Sequence, residues 1–382
     1  MKILLLSSNL SNEAGGYAES SFLLRERLEK IKKNKVYLFG FWRSELLTLE
    51  YKLTDRINIF PAGFIRKFPF SLLYLKRMIS VKPHIIDIQG LWASSSILNL
   101  IYSKLLTSTP YIVTPRGMLE KWALKQSYYK KFFFYHLIEK YNLRYASCLR
   151  ATSKMEAKNL RGMGFKNVII DVPNSIKIPN LNIKFKYKKK KKKRLLFLSR
   201  LHQKKGLIEL LNAWKYIHNK YLDWELVICG YDENNYKDQM NELAKDLKLK
   251  RVLWKKSVTG KDKDKLYKSS DLFILLSHSE NFGLSIAEAL SYYLPVITTT
   301  NTPWKDLKKY NCGWCIDLKM KNIVKTLENA IRLEQKKKIL MGKRGRAWMI
   351  RSFSDQSIGI KMQSVYKWIL KKGPKPKKLI FN

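Results

Sequence analysis

The densest chemistry in the chain lies at His278-Ser279-Glu280-Asn281-Phe282-Gly283-Leu284-Ser285-Ile286-Ala287-Glu288. An apolar run ends at Leu276, two carboxylates follow at 280 and 288, and the pattern predicts a helix beginning between them near Gly283. The first backbone N–H groups of such a helix, at Gly283, Leu284 and Ser285, lack partners within it and make its start an anion site. Glu280 precedes that start, and Glu288 lies over a turn inside it. One carboxylate can meet one end of a ligand and the second the other, with phosphates between. Upstream, Arg200 and Lys205 stand five residues apart in Phe197-Leu198-Ser199-Arg200-Leu201-His202-Gln203-Lys204-Lys205-Gly206, after a strand-like run and before a helix-like one. Two cations so placed can converge on a diphosphate and stabilise it as it departs. Spacing alone also admits a plainer arrangement: a capped helix with solvated acids, and ordinary surface cations in a Lys-rich chain.

These residues need a scaffold that presents strand ends. The chain opens with an apolar strand over 3–7, a loop holding Gly15-Gly16, and a helical pattern over 18–32. Glycines after a first strand let a ligand approach the backbone, or simply mark a turn. Further apolar runs at 36–41, 85–88 and 111–113 alternate with helix-like stretches, which predicts a parallel sheet with crossover helices. The stretch 181–193, with Lys188 to Lys193 unbroken, interrupts this and reads as a solvated linker. The alternation then restarts, with strands predicted at 195–198, 226–228, 252–254, 272–276 and 295–297, and a helix over 207–218. Helices follow from 334 to 370, then a basic tail from Lys371. The expected organisation is a first α/β domain over 1–176, a linker over 177–194, and a second α/β domain over 195–355. A C-terminal helix over 356–372 is expected to pack back on the first domain. In doubly wound domains, ligands lie beyond the carboxyl ends of the strands.

Composition narrows the partners. The 382 residues, 46% hydrophobic, suffice for two domains with their own cores. The 75 Lys+Arg outnumber 30 Asp+Glu, giving a net charge of +45. The excess is spread, with 29 basic and 12 acidic residues in 1–180 and 36 and 18 in 201–382. Such a field attracts phosphates, anionic lipid and nucleic acid alike. Four cysteines in so long a chain make no disulfide scaffold. No run approaches the roughly 18 apolar residues of a membrane span, and the opening Met1-Lys2-Ile3-Leu4-Leu5-Leu6 is too short for a signal peptide. The expectation is a cytoplasmic protein that can sit on a membrane without crossing it. Cys312-Gly313-Trp314-Cys315 has redox or zinc spacing, yet no second Cys or His pair accompanies it, so a loop and no metal are expected there. His278 and His202 flank the charged segments, while His84, His136 and His218 read as surface or packing residues.

Glu280 to Glu288 resembles the E-x7-E motif of retaining GT-B glycosyltransferases of family 4, also termed group 1. Pro295-Val296-Ile297-Thr298-Thr299 and Thr302-Pro303-Trp304 resemble the branch that builds bacterial surface polysaccharides. The stretch 197–206 is similar to the family's Arg…Lys-Gly diphosphate clamp. Gly15-Gly16 occupies the place of its glycine loop. Asp87-Ile88-Gln89-Gly90-Leu91-Trp92 resembles a segment that usually carries His where Gln89 stands. Thr114-Pro115-Arg116-Gly117-Met118-Leu119 places Arg116 near another frequent His, and Pro173-Asn174-Ser175-Ile176 stands where the family has Pro-Asn-Gly. The likeness runs from about residue 1 to 370.

The resemblance implies a GT-B fold, two Rossmann-like doubly wound domains facing a central cleft, the first binding acceptor and the second a nucleotide-sugar donor. It assigns Glu288 to the ribose and Glu280 to the transferred sugar, with Asn281, Phe282 and Gly283 beside it. Gly230 would pack closely on the nucleotide, and the Ser257-Val258 main chain would face the base. Arg200, Lys205 and the helix start would stabilise the departing diphosphate with no metal and no cofactor. Gly15, Gly16 and Arg116 would form the acceptor or phosphate loop. The acceptor implied is a saccharide on a polyprenyl diphosphate lipid, in lipopolysaccharide O-antigen or capsule synthesis.

Such an acceptor calls for an anionic membrane surface at the inner face of the plasma membrane. Between Lys121 and Lys140, Trp122, Lys125, Tyr128, Tyr129, Lys130, Lys131, Phe132, Phe133, Phe134 and Tyr135 mix cations with aromatics. That run predicts interfacial docking at the lip of the first domain, or else a Phe core with a solvated lysine face. Two rival functions are a nucleotide-sugar epimerase of related fold and a basic nucleic-acid binder. Against the second, the chain has no helix-turn-helix, zinc-finger or RNP motif, and no nucleic-acid partner is expected.

Overall fold

The computed structural model describes residues 1–10, 16–42, 55–61, 72–181, 192–232 and 235–381. Gly15 and most of the lysine run therefore lie outside the described residues. The chain divides into two compact units, Met1–Ile176 with Asp355–Asn382, and Lys177–Ser354.

The first unit opens with β1 (Lys2–Ser7), β2 (Lys35–Trp42), β3 (Ile57–Pro61) and β4 (Ile85–Gln89). It continues through β5 (Tyr111–Thr114), β6 (Cys148–Ala151) and β7 (Ile169–Asp171). The second unit holds β8 (Lys193–Leu198), β9 (Trp224–Cys229), β10 (Val252–Lys255), β11 (Leu272–Leu275), β12 (Val296–Thr299) and β13 (Gly313–Ile316). The chain ends in β14 (Ile380–Phe381).

The first sheet runs β14-β7-β6-β5-β4-β1-β2-β3, parallel except for β14. Its central strand shows why an unbroken apolar run is needed. In β1, Leu4 and Leu6 enter one core with Phe39, Tyr74 and Ile88, while Ile3 and Leu5 enter another with Phe22, Leu38 and Ile358. Both faces are covered, so the four positions from Ile3 to Leu6 are all apolar. The helix Asp355–Ile369 supplies Ile358, Met362, Val365 and Tyr366 to the second core and packs on the helix Gly16–Glu29.

The second sheet is wholly parallel, β10-β9-β8-β11-β12-β13. The helix Leu207–Ile217 buries Leu207, Leu210, Leu211, Trp214 and Ile217, the one-sided spacing of an amphipathic helix on a sheet.

Two expectations need correction. Lys193 and Arg194 are not linker but the first residues of β8. Ion pairs of Lys193 with Asp223 (2.8 Å) and Arg194 with Glu225 neutralise cations that read as solvent-facing. Gly313 to Cys315 is not loop but strand β13, paired with β12 in the register Ile297↔Trp314 and Thr298↔Cys315. The basic tail runs from Lys371 as expected, and at its end Ile380 and Phe381 pair antiparallel with Ile170 and Ile169 and cover the sheet edge.

Candidate active site

In the second unit, β8 is followed by strands stacked to one side and β11 by strands stacked to the other. The gap between their carboxyl ends is the switch point where ligands of doubly wound sheets bind. Arg200 to Lys205 follow β8, and Glu280 follows β11, so both charged segments open onto this gap.

Gly206 brings them together. It adopts the left-handed region (φ +71°), and a Cβ there would stand 2.0 Å from the Leu276 carbonyl oxygen. Only glycine lets the 203–206 turn lie so close to the end of β11. The His278 amide then donates to the Lys204 carbonyl (2.9 Å), and the Lys205 ammonium donates to Glu280 Oε1. The Ser277 hydroxyl donates to the same oxygen (2.9 Å). The two side chains are only 12% and 10% exposed. Burial alone would raise the Glu280 carboxyl, but the Lys205 charge, its hydrogen bond and that of Ser277 hold it below the usual value. The site thus keeps an ionised carboxylate and an ammonium side by side out of bulk water.

The helix Leu284–Ser291 starts where the spacing predicts, with Gly283 as its left-handed cap (φ +76°). The first amides, at Gly283, Leu284 and Ser285, precede the first intrahelical bonds, which the Ile286 and Ala287 amides make to the Gly283 carbonyl. Phe282, expected beside Glu280 at the donor, is fixed by its neighbours. Its ring is buried against Trp304 and Phe353, and the Trp304 indole N–H donates to its carbonyl, so any donor contact there falls to the main chain. Asn281, by contrast, is partly exposed. Glu288 is buried and gripped by two groups, Lys263 Nζ on Oε1 and Tyr267 OH on Oε2, each at 2.8 Å. Lys263 and Tyr267 lie one turn apart on the helix Gly260–Ser269. Sequence reasoning missed Lys263, because a lysine within Lys-rich helices carries no distinguishing signal.

Gly230 follows β9, and a Cβ there would stand 1.7 Å from the Ser199 carbonyl oxygen, so strand packing by itself already requires glycine. Val258 follows β10 and is partly exposed. Cys229 Sγ donates to the Lys256 carbonyl (3.0 Å), which ties this segment to the end of β9. Burial pushes the Cys229 thiol up to about 11, so it stays protonated. Arg200 is exposed at the end of β8. His278 pairs with Glu209 (2.8 Å), and His202 Nδ1 accepts from the Lys204 amide (3.0 Å), so both shape the loops around the gap. Cys312 is buried and Cys315 half-buried, and among the described residues no cluster of three His, Cys, Asp or Glu could hold a metal.

The first unit has its own switch point between β1 and β4. Arg116, just past β5, is held in the left-handed region (φ +56°), unfavourable for a residue with a Cβ. Its guanidinium donates to Gln89 Oε1 (2.9 Å from Nε) and to the Ser20 hydroxyl, and lies 5.0 Å over the Tyr17 ring. Gln89 donates in turn to Asp87, which accepts from Tyr366 OH (2.6 Å). Burial pushes Arg116 down to about 10, still cationic at neutral pH. Gly16 opens the helix that supplies Tyr17 and Ser20. Sequence reasoning missed Tyr17, since its role exists only once β4 and β5 are side by side.

Residues 180–348 match the model of the glycosyl transferases group 1, and 54–174 match that of the glycosyl transferase 4-like domain. The chain is a group 1 glycosyltransferase. This glycosyltransferase is 26% identical over 292 residues to an uncharacterised glycosyltransferase of Methanocaldococcus jannaschii, covering 71% of this chain and 65% of the relative. It is 27% identical over 177 residues to the capsular polysaccharide biosynthesis glycosyltransferase CapM of Staphylococcus aureus, covering 46% of each. The match thus spans less than two thirds of either relative. In fold, it resembles sucrose-phosphate synthase of Thermosynechococcus elongatus (TM-score 0.78, 16% identity, 97% of this chain and 100% of the other). It also resembles HepE of Anabaena in complex with UDP-glucose (TM-score 0.74, 16% identity, 96% and 100%). At these identities the likeness carries the fold alone, two parallel-sheet α/β domains of the GT-B type.

Proposed function

We propose that this glycosyltransferase is a retaining hexosyltransferase that moves sugar from a nucleotide-sugar to a saccharide on a polyprenyl diphosphate lipid. The work is done at the inner, anionic face of the plasma membrane, in O-antigen or capsule synthesis. The observation that carries the reading is the Lys205–Glu280 pair, which brings the cationic clamp and the glutamate motif to one end of one sheet. In this reading Arg200, Lys205 and the amides at 283–285 hold the diphosphate, Glu288 takes the ribose, and Glu280 orients the transferred sugar. Gly230 and Val258 flank the nucleotide. The bond from the anomeric carbon to the diphosphate breaks with its electron pair on the diphosphate. The acceptor oxygen bonds to that carbon from the same face, and its proton passes to the departing diphosphate. One donor aimed at the developing charge is worth about 2.7–4 kcal/mol. Gly16 and Arg116 belong to the acceptor side.

The capsule assignment of CapM supports the polysaccharide role. Membrane work is supported by the aromatic run, whose Tyr128, Tyr129, Phe132 and Phe133 are exposed rather than core. No helix among the described residues is long and apolar enough to cross a membrane. A thermal-shift screen of nucleotide sugars tests donor binding, and the anomeric configuration of the product, read by NMR, tests retention. Turnover is expected to survive EDTA; loss reversed by Mg²⁺ would overturn the metal-free route. Co-sedimentation with anionic vesicles should weaken with salt and when Lys125, Lys130 and Lys131 become Glu. Equal binding to neutral vesicles would remove the membrane from the reading.

A further inference from the structure

The aromatic run does not form one helix. It is broken into Lys121–Lys125, Tyr128–Phe134, a π-helical turn Tyr135–Glu139 and Lys140–Arg144, with Ser127 in the left-handed region (φ +54°). Breaks of this kind cost hydrogen-bond geometry and gather at functional places. Here they open a cavity of about 110 Å³ lined by Leu124, Tyr128, Phe132, Tyr135 and Met163, with Lys131 and His136 as its polar members. Its volume equals about three or four waters, but a water needs two to four polar partners and this lining offers few. A branched hydrocarbon unit of similar bulk suits it better.

The surroundings say what such a unit is attached to. Tyr129, Phe133 and Leu137 on the same segment are 76%, 63% and 71% exposed, so the cavity opens in an apolar face and not in a polar one. From 121 to 138 there is no Asp or Glu, against Lys121, Lys125, Lys130 and Lys131. An apolar cavity with Lys131 in its lining, on a segment that carries cations and no acids, fits an amphiphile with a negative head. Of the 14 large apolar residues exposed on the described part of the first unit, 12 fall between 72 and 145. The helices of that stretch bury their other side in one core, so these residues share one side of the sheet.

We propose that this cavity binds the first branched unit of a polyprenyl phosphate lipid, with Lys131 meeting the phosphate. The prenyl assignment rests on the reading that the acceptor is polyprenyl-linked; the cavity and its charge do not. Lys131 is suited to the task. Its ammonium is held by the Ala123 carbonyl (2.5 Å) and lies 5.9 Å over the Trp92 ring, so it is placed before any ligand arrives. Trp92 follows β4 by three residues, and its amide donates to the buried Glu139 (2.8 Å). The lipid site is thereby fastened to the loop that follows Gln89 at the end of β4, beside the first unit's switch point.

The test uses the full chain and farnesyl phosphate below its micelle concentration, with binding read by tryptophan fluorescence and calorimetry. Saturable binding is expected. Met163→Phe and Leu124→Phe, which fill the cavity, should each weaken it at least tenfold while keeping the unfolding temperature and the nucleotide-induced shift of the wild type. Lys131→Met should abolish the preference for farnesyl phosphate over farnesol. Wild-type affinity in both filled variants would overturn the cavity assignment, and equal affinity for dodecyl phosphate would overturn the prenyl one. A protein that binds nucleotide sugars and anionic vesicles yet ignores farnesyl phosphate refutes this inference and leaves the function standing. One that binds none of the three loses both.

Discussion

Stability and turnover should part company at the Lys205–Glu280 pair. Lys205→Met leaves a carboxylate only 10% exposed, with the Ser277 hydroxyl still donating to it and the Lys204 charge nearby, and Glu280→Gln leaves an ammonium 12% exposed. Removing one partner of a buried pair costs about 3–5 kcal/mol, because the other charge stays desolvated. Replacing both with neutral groups of similar size is often nearly neutral. The double variant should therefore unfold within about 1 kcal/mol of the wild type, although each single variant is strongly destabilised. Turnover should not recover. Loss of a donor aimed at the leaving group costs about 10²–10³ in rate, and the double variant still lacks it. Urea unfolding at neutral pH and transfer rates with the donor returned by the binding screen give both readouts. Glu280 titrates below its ordinary value in the folded state. Its contribution is accordingly full above the usual carboxylate range and is lost as pH falls through the lowered value. A double variant as unstable as the sum of the singles would show that the two groups do not act as a pair. A double variant with wild-type turnover would remove both from the reaction.

Tyr267→Phe deletes one of the hydrogen bonds that fix Glu288 and should weaken donor binding about tenfold, the scale of a hydrogen bond to a charged group. Isothermal titration with the donor checks this, and unchanged affinity would take Glu288 out of the binding site. Gly206→Ala forces a Cβ into the Leu276 carbonyl at a left-handed position, so the midpoint of unfolding and the turnover should both fall. Glu139 is buried and pushed up to about 7 by burial, against hydrogen bonds from Ser96, the Trp92 amide and Asn142. Between the ordinary carboxylate value and 7, the folded state binds more protons than the unfolded one, so stability declines as pH rises through that window. Glu139→Gln should flatten that decline, as urea midpoints at pH 5 and 8 would reveal.

Much of the second unit is legible because its determinants are local. Each charged segment sits within a few residues of a strand end, and the apolar runs of β8, β9, β11 and β12 are long enough to stand out. The strand β13 was harder: Gly313 to Ile316 alternates small, aromatic and thiol side chains, and its register comes from β12 rather than from its own pattern. β8 begins earlier than its sequence suggests for a related reason, since Asp223 just before the neighbouring strand and Glu225 on it make two cations acceptable there.

The first unit hides its chemistry for a deeper reason. Arg116, Gln89, Asp87 and Tyr366 form one hydrogen-bonded chain, yet they come from the turn after β5, from β4 and from a helix nearly 280 residues after Asp87. No spacing rule links them; only the parallel sheet does, by setting Asp87 beside Ile112 and Gln89 beside Thr114. Where a family commonly carries histidines, this chain places an amide and a guanidinium that satisfy each other. Such a pair cannot shuttle protons near neutral pH, because a guanidinium at about 10 stays charged and an amide does not titrate. What it can do is present a fixed positive charge at the end of the sheet. In the proposed transfer this pair would supply orientation and charge to the acceptor side, and no proton.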